Sequence, residues 1–152
     1  MKEPKQLSVS AIQNGTVIDH IPAKNLFKVI QILGLDHIDN QITFGTNLES
    51  KKLGRKAIIK ISDKSFEDAD INRIALVAPD AKLNIIKDYE VVEKKVVEVP
   101  DTIVGIAKCM NPKCITNFEM VVTRFRVVSK KNVALRCHYC DKITNQENLQ
   151  II

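Results

Sequence analysis

Four cysteines, all within the last 44 residues of a 152-residue chain, set the tightest limit on what this sequence can become. They stand at Cys109, Cys114, Cys137 and Cys140, a Cys-x4-Cys and a Cys-x2-Cys separated by 22 residues. Two knuckles that each present two thiolates match the needs of a tetrahedral metal ion, and the interval between them leaves room for a β-hairpin. Two disulfides would need an oxidising compartment, and the N-terminus MKEPKQLSVS has no signal-peptide core. A redox Cys-x2-Cys at Cys137 and Cys140 would leave Cys109 and Cys114 without a purpose. Rubredoxin-type iron uses the same ligands; one structural Zn²⁺ is the reading adopted. His138, inside the second knuckle, offers a Cys3His alternative, but Cys140 already supplies a fourth ligand. A shell closed by four sulfurs has no open position for substrate, so its role is structural.

The segment that carries these ligands is short of core. Pro100 and Asp101 follow the charged, β-branched stretch VVEKKVVEV and divide the chain into residues 1–100 and 101–152. Strand candidates in the second part are Ile103–Lys108, Met120–Val128, Val133–Arg136 and Ile143–Ile152, with a turn at Ser129–Asn132. Some fifty residues of this kind bury too little apolar surface to fold securely alone. A four-thiolate zinc site contributes on the order of 10 kcal/mol to such a module, so metal binding and folding become one event.

Charge bears on partners. Residues 1–100 hold 15 basic and 14 acidic side chains, and residues 101–152 hold 8 and 4. Zinc bound by four thiolates lowers the second part from +4 to +2. Arg124, Arg126, Lys130, Lys131 and Arg136 would be the basic face of a zinc-ribbon nucleic-acid-binding protein, the competing functional reading. With no Trp, and Phe118, Phe125 and Tyr139 as the aromatics of this part, stacking platforms are poor. A solvated hairpin or a protein interface is the preferred reading of that face, with no nucleic acid. No apolar run is long enough to span a bilayer, so a soluble, cytoplasmic protein is expected.

The first hundred residues read as alternating strands and helices. Leu7, Val9 and Ala11 alternate with polar residues as a strand that ends near Asn14-Gly15. A helix starts around Pro22, with Ala23, Leu26, Phe27, Ile30 and Leu33 on one face and Gly34 ending it. Strands follow over Ile42–Leu48 and Ala57–Ile61, then a helix over Glu67–Ala78 stopped by Pro79. Leu83–Ile86 and Val91–Val99 are the last strands. The fold class is α+β: a ferredoxin-like βαββαβ domain followed by a small all-β zinc-binding domain. No Gly-rich phosphate loop and no free nucleophilic cysteine are present. Asp19 and His20, adjacent on an extended chain, point to opposite faces and make no catalytic dyad. Lys60, Asn84 and Lys94 interrupt apolar strands; they suit either the outward faces of half-buried strands or contacts to ribose and phosphate.

Several segments, GTVIDHIPA at 15–23, GRK–IIKI at 54–61 and LVAPDAKLNIIKDYEVVEK at 76–94, together with the cysteine spacing, resemble the regulatory chain of aspartate carbamoyltransferase over essentially the whole length. The resemblance implies a non-catalytic, allosteric chain of pyrimidine biosynthesis that binds the nucleotide effectors CTP, ATP and UTP. Val9, Ala11, Ile12, Ile86 and Tyr89 would surround the base, and Asp19 and Lys60 would hold ribose and the base edge. His20, Asn84 and Lys94, with Val91 nearby, would meet the phosphates. The zinc domain would set Asn111 and Glu119 against the catalytic chain, and the N-terminal domain would form a regulatory dimer through the Ile42–Phe44 region. Gln6 and Ser10 depart from the lysine and glutamate of familiar members, which bears on the second, metal-bridged nucleotide that the N-terminal arm helps to seat there. Lys113 adds a charge to the loop expected at the catalytic chain.

Overall fold

A computed structural model describes residues 11–152. The strand expected over Leu7–Ala11 lies mostly outside the described residues, with Ala11 itself in no strand. The first strand described is β1, Gly15–Pro22, where the sequence pattern predicts a turn and the approach to a helix. It escaped notice because it does not alternate: Thr16, Val17 and Ile18 are all buried. A central strand covered on both faces reads as a continuous run rather than a period-two pattern.

A short 3-10 turn over Ala23–Asn25 leads into helix α1, Leu26–Ile32. Its buried stripe is Leu26, Val29 and Ile32, while Phe27, expected on that face, is 69% exposed. Phe27 instead meets Phe44 edge-on, ring centroids 6.1 Å apart. Gly34 follows the helix with φ 65°, the left-handed turn that glycine takes at no steric cost. Strands β2, Ile42–Ser50, and β3, Gly54–Ser62, form a hairpin. The helix expected over Glu67–Ala78 is a short α2, Asp68–Asn72, that tightens into a 3-10 turn over Arg73–Leu76. The inward face is as expected: Ile71, Ile74, Ala75 and Ala78 are buried. Strands β4, Lys82–Lys87, and β5, Glu90–Val96, complete an antiparallel sheet of order β2-β3-β1-β4-β5. Ile18, Ile59, Ile61 and Leu83 point from this sheet into the core with Leu26, Val29 and Ile74.

The cysteine-bearing half is all strand and turn. A four-stranded sheet has the order β10-β9-β8-β6, from β6 Thr102–Val104, β8 Arg124–Ser129, β9 Ala134–Cys137 and β10 Ile143–Asn145. A second, two-stranded sheet pairs β7, Ala107–Lys108, with β11, Gln150–Ile151. Two expected strands are thus each split in two. Ile103–Lys108 breaks at Gly105, whose N–H donates to the Thr123 carbonyl, so its halves serve different sheets. Ile143–Ile152 is interrupted by a 3-10 turn at Gln146–Asn148 and crosses from β9 to β7. The expected strand from Met120 starts only at Arg124, because Thr123 donates its hydroxyl to the Ala107 carbonyl at 2.7 Å and the preceding backbone loops back on Glu119. Phe125, Leu135 and Ile103 fill this half of one continuous core.

Candidate functional site

The four sulfurs are gathered by elements that owe nothing to one another in sequence. Cys109 follows β7, Cys137 ends β9, and Cys114 and Cys140 sit in the two connecting turns. All four Sγ atoms lie within 4.8 Å of one another; Cys109–Cys140 and Cys114–Cys137 are 3.6 and 3.7 Å apart. A tetrahedron of Zn–S bonds of about 2.3 Å has sulfur–sulfur edges of about 3.8 Å, so the donor set fits one zinc ion. His138 is not among the clustered ligands; its ring packs edge-on against Tyr139.

Two of the sulfurs accept hydrogen bonds from nearby groups. The Tyr139 N–H donates to Cys137 at 3.4 Å and the Thr116 hydroxyl to Cys114 at 3.2 Å. Burial pushes the Cys109 and Cys137 thiols up, so without metal these two hold their protons. Burial raises Cys140 as well, but hydrogen bonds from the Asn111 side chain, the Lys142 N–H and the neighbouring cysteines outweigh it and bring that thiol to about 7. Loading zinc therefore has to expel protons.

Around the first knuckle Asn111 is a turn residue. Its carbonyl accepts the Cys114 N–H and the Asn117 amide, and its side chain accepts the Lys113 N–H. Glu119 is exposed, in a stretch where Ile115, Phe118, Met120 and Val122 also face solvent.

The second constellation lies on the five-stranded sheet. Directly paired residues of an antiparallel sheet share a face. Register puts Thr43, Lys60, Val17, Asn84 and Lys94 in one row across all five strands. The next row holds Asp19 and Lys82, and on the other side Ile86 stands opposite Val91. This is the face turned away from the helices, because the rows between carry Ile18, Ile59, Ile61 and Leu83 into the core. Ala11, Ile12 and Tyr89 line a cavity of about 290 Å³ with Thr43 and Ser62 beside it. Tyr89 is held there by the tight turn at Asp88–Tyr89, φ 51° and 68°, and its N–H donates to the Gln13 carbonyl. Apart from Val9, which lies outside the described residues with Gln6 and Ser10, the candidate nucleotide residues fall on this face or at its rim.

Asp19 and His20 depart from the sequence-based picture. A β-bulge between Ile18 and Ile21, with His20 at φ 63°, interrupts the alternation, so the two side chains lie together, His20 Nδ1 3.7 Å from Asp19 Oδ1. They make no side-chain hydrogen bond; it is the His20 backbone N–H that donates to Asp19, at 2.6 Å. His20 Nδ1 is buried with no hydrogen-bond partner among the described residues. Asp19 also pairs with Lys56 Nζ at 3.0 Å, a neighbour the sequence reading missed. Its signal was there: Lys56 and Lys60 are four apart on one strand and share a face. Lys60 is only 8% exposed, and burial lowers its pKa while nearby Asp19 partly restores it.

The antiparallel sheet carrying a row of polar groups on one face, joined to a four-sulfur metal centre, defines a two-part α+β protein with an effector-type domain and a metal domain. Residues 7–98 match the family model described as aspartate carbamoyltransferase regulatory chain, allosteric domain, and residues 101–150 match the metal binding domain of the same chain. The chain is 58% identical over 153 residues to the aspartate carbamoyltransferase regulatory chain of Bacteroides fragilis, covering 100% of both. It is 53% identical to that of Parabacteroides distasonis over 99% of this chain and 97% of the relative. The Pyrococcus horikoshii relative is 53% identical over 95% and 96%. The chain belongs to the family of aspartate carbamoyltransferase regulatory chains, which are non-catalytic subunits. The nucleic-acid-binding reading of the zinc domain is not favoured, and among the described residues no helix is long and apolar enough to cross a membrane.

Proposed function

We propose that this chain senses CTP, ATP and UTP on the helix-free face of its larger sheet and passes the signal to catalytic chains through its zinc domain. The observation that carries the reading is the row Lys60–Val17–Asn84–Lys94, which lines up two ammonium groups and an amide from four strands. Asp19 and His20, drawn together by the bulge, offer a carboxylate for ribose hydroxyls and an imidazole for phosphate, and Ala11, Ile12, Ile86, Tyr89 and Val91 supply walls for the base. The buried, unpartnered Nδ1 of His20 gains a partner when such a ligand binds.

The domain boundary at Pro100 is supported by the gap between the two family matches. The strand order β2-β3-β1-β4, with β3 antiparallel between β1 and β2, supports the ferredoxin-like, split-βαβ description, β5 being an added edge strand. Asn111 and Glu119 belong to the proposed catalytic-chain surface, which the exposed Ile115, Phe118 and Met120 extend. The regulatory dimer is proposed along β2, an edge strand with Phe44 45% exposed.

Calorimetry tests the reading. CTP and ATP should compete for one site on the isolated chain, and Lys60→Ala or Lys94→Ala should each weaken binding. A lost charge-assisted contact costs about 1.5–3 kcal/mol, roughly tenfold to a hundredfold in affinity. Unchanged affinity in both variants would mean that the nucleotide sits elsewhere.

A further inference from the structure

Three guanidinium groups share one face of the smaller sheet. Arg126 on β8 stands directly opposite Arg136 on β9, and Thr102 of β6 pairs with Arg126 on its other side. Arg124, two residues before Arg126, lies on the same face by strand alternation, with the buried Phe125 between them turned to the core. These four residues, with His138 and Asp141, line a cavity of about 280 Å³. All three arginines are exposed, and among the described residues none of their guanidiniums makes an ion pair or hydrogen bond, not even with Asp141.

This is an unfavourable arrangement for a plain solvated strand. Like charges directly opposite on neighbouring strands destabilise the pairing, and a face that needs only to be polar has no reason to stack them. An anion seated between the guanidiniums reverses the sign. The planar fork of arginine matches the oxygens of phosphate two at a time, and mounting on adjacent strands brings the three side chains to one face. Three positive charges against one carboxylate call for a multivalent anion. The cavity is of a size to take a phosphate chain. So few cations are also too little for a nucleic-acid backbone.

We propose that this face of the zinc domain is a second anion site, separate from the nucleotide face, and that it takes a short polyphosphate of the pyrophosphate class. The proposal does not depend on the nucleotide reading, and the experiment keeps them apart. Pyrophosphate is titrated into the zinc-loaded full chain carrying Lys60→Ala and Lys94→Ala, which removes both ammonium groups of the nucleotide face. Saturable binding of one pyrophosphate per chain is expected to remain. Arg126→Gln should weaken it roughly tenfold or more, and Arg126→Gln with Arg136→Gln should abolish it. Arg124→Gln, in the next row of the sheet, provides a second variant should the paired replacement disturb folding, and zinc content reports that disturbance. In the Lys60 and Lys94 wild-type background, CTP affinity should not respond to the arginine replacements. Absence of pyrophosphate binding in the lysine variant, or binding indifferent to all three arginines, would overturn the proposal. Tighter binding of a single-stranded oligonucleotide than of pyrophosphate would do so too, as would arginine variants whose sole defect is failure to assemble with catalytic chains.

Discussion

Lys60 holds an ammonium group almost out of reach of water in the middle of a sheet. Burial lowers its pKa and Asp19 compensates only in part, so the proton is held less tightly than on an ordinary lysine. An anionic ligand that contacts the ammonium raises that pKa again in the complex. Affinity should therefore be full below the pKa of the free protein and fall as pH rises through it, levelling off above the pKa of the complex. The window lies below the usual lysine range. Measured above about pH 7.5, where nucleotide phosphates are fully ionised, CTP binding should weaken progressively, and Lys60→Arg, which keeps its charge, should flatten the profile. A profile equally steep in both proteins would remove Lys60 from the contact. At this scale the sequence was informative about which residue types mattered but not about their grouping. Lys60, Asn84 and Lys94 each look like the outward residue of a separate strand, and only register puts them in one row. Lys56 was missed because its partner Asp19 is 37 positions away.

Among the elements, β1 and the metal knuckles carry most of the weight. Gly15 opens β1 at φ 140°, and a Cβ there would lie 2.1 Å from the Ile61 carbonyl oxygen of β3. Backbone strain of this kind costs about 1–3 kcal/mol, and the clash with main chain adds to it. Gly15→Ala should lower the melting temperature and weaken nucleotide binding together, since β1 carries both Val17 and Asp19; a wild-type melting curve would contradict this. For the knuckles, zinc removal or Cys114→Ala should melt residues 101–152 while the larger domain keeps its structure, because three thiolates cannot close the shell. Heteronuclear NMR would see the two sets of signals separate, and persistence of the β8–β9 signals without metal would refute the coupling. The knuckles were legible because ligand spacing is local chemistry. β1 was not, because burial on both faces erases alternation, and the bulge at Asp19–His20 makes the remainder look like loop. The broken strands near Gly105 and Gln146 failed for another reason: a change of sheet is a tertiary choice that local pattern does not record.

The molecule as a whole joins its two halves by packing. Lys24, Val77 and Pro79 of the larger half face Gln146, Glu147 and Leu149 of the smaller across a cavity of about 500 Å³, beside a core that runs on between them. Such a junction suits a modest coupling free energy, about 1–3 kcal/mol, between effector and partner. The exposed apolar side chains of the two halves fit separate contacts. Phe118→Ser with Met120→Ser should leave zinc content unchanged yet weaken assembly with catalytic chains, and Phe44→Glu should dissociate the proposed dimer. Sedimentation at micromolar concentration reads both, and wild-type behaviour in either variant would remove that surface from the assembly.

The polar row on the larger sheet has a consequence for how the chain finds its fold. Its members come from positions 43, 60, 17, 84 and 94, so the row exists only when four separate strand pairings are all aligned. A slip of one residue in a pairing turns the slipped strand's row residue toward the core and its core-facing neighbour outward. The proposed ligand-binding face is thus a checksum on strand alignment, read out chemically. A ligand that recognises the complete row stabilises the correctly aligned molecules alone, by about 2.7 kcal/mol at a hundredfold excess over its dissociation constant, and the effector becomes a proofreader of the fold that it later regulates.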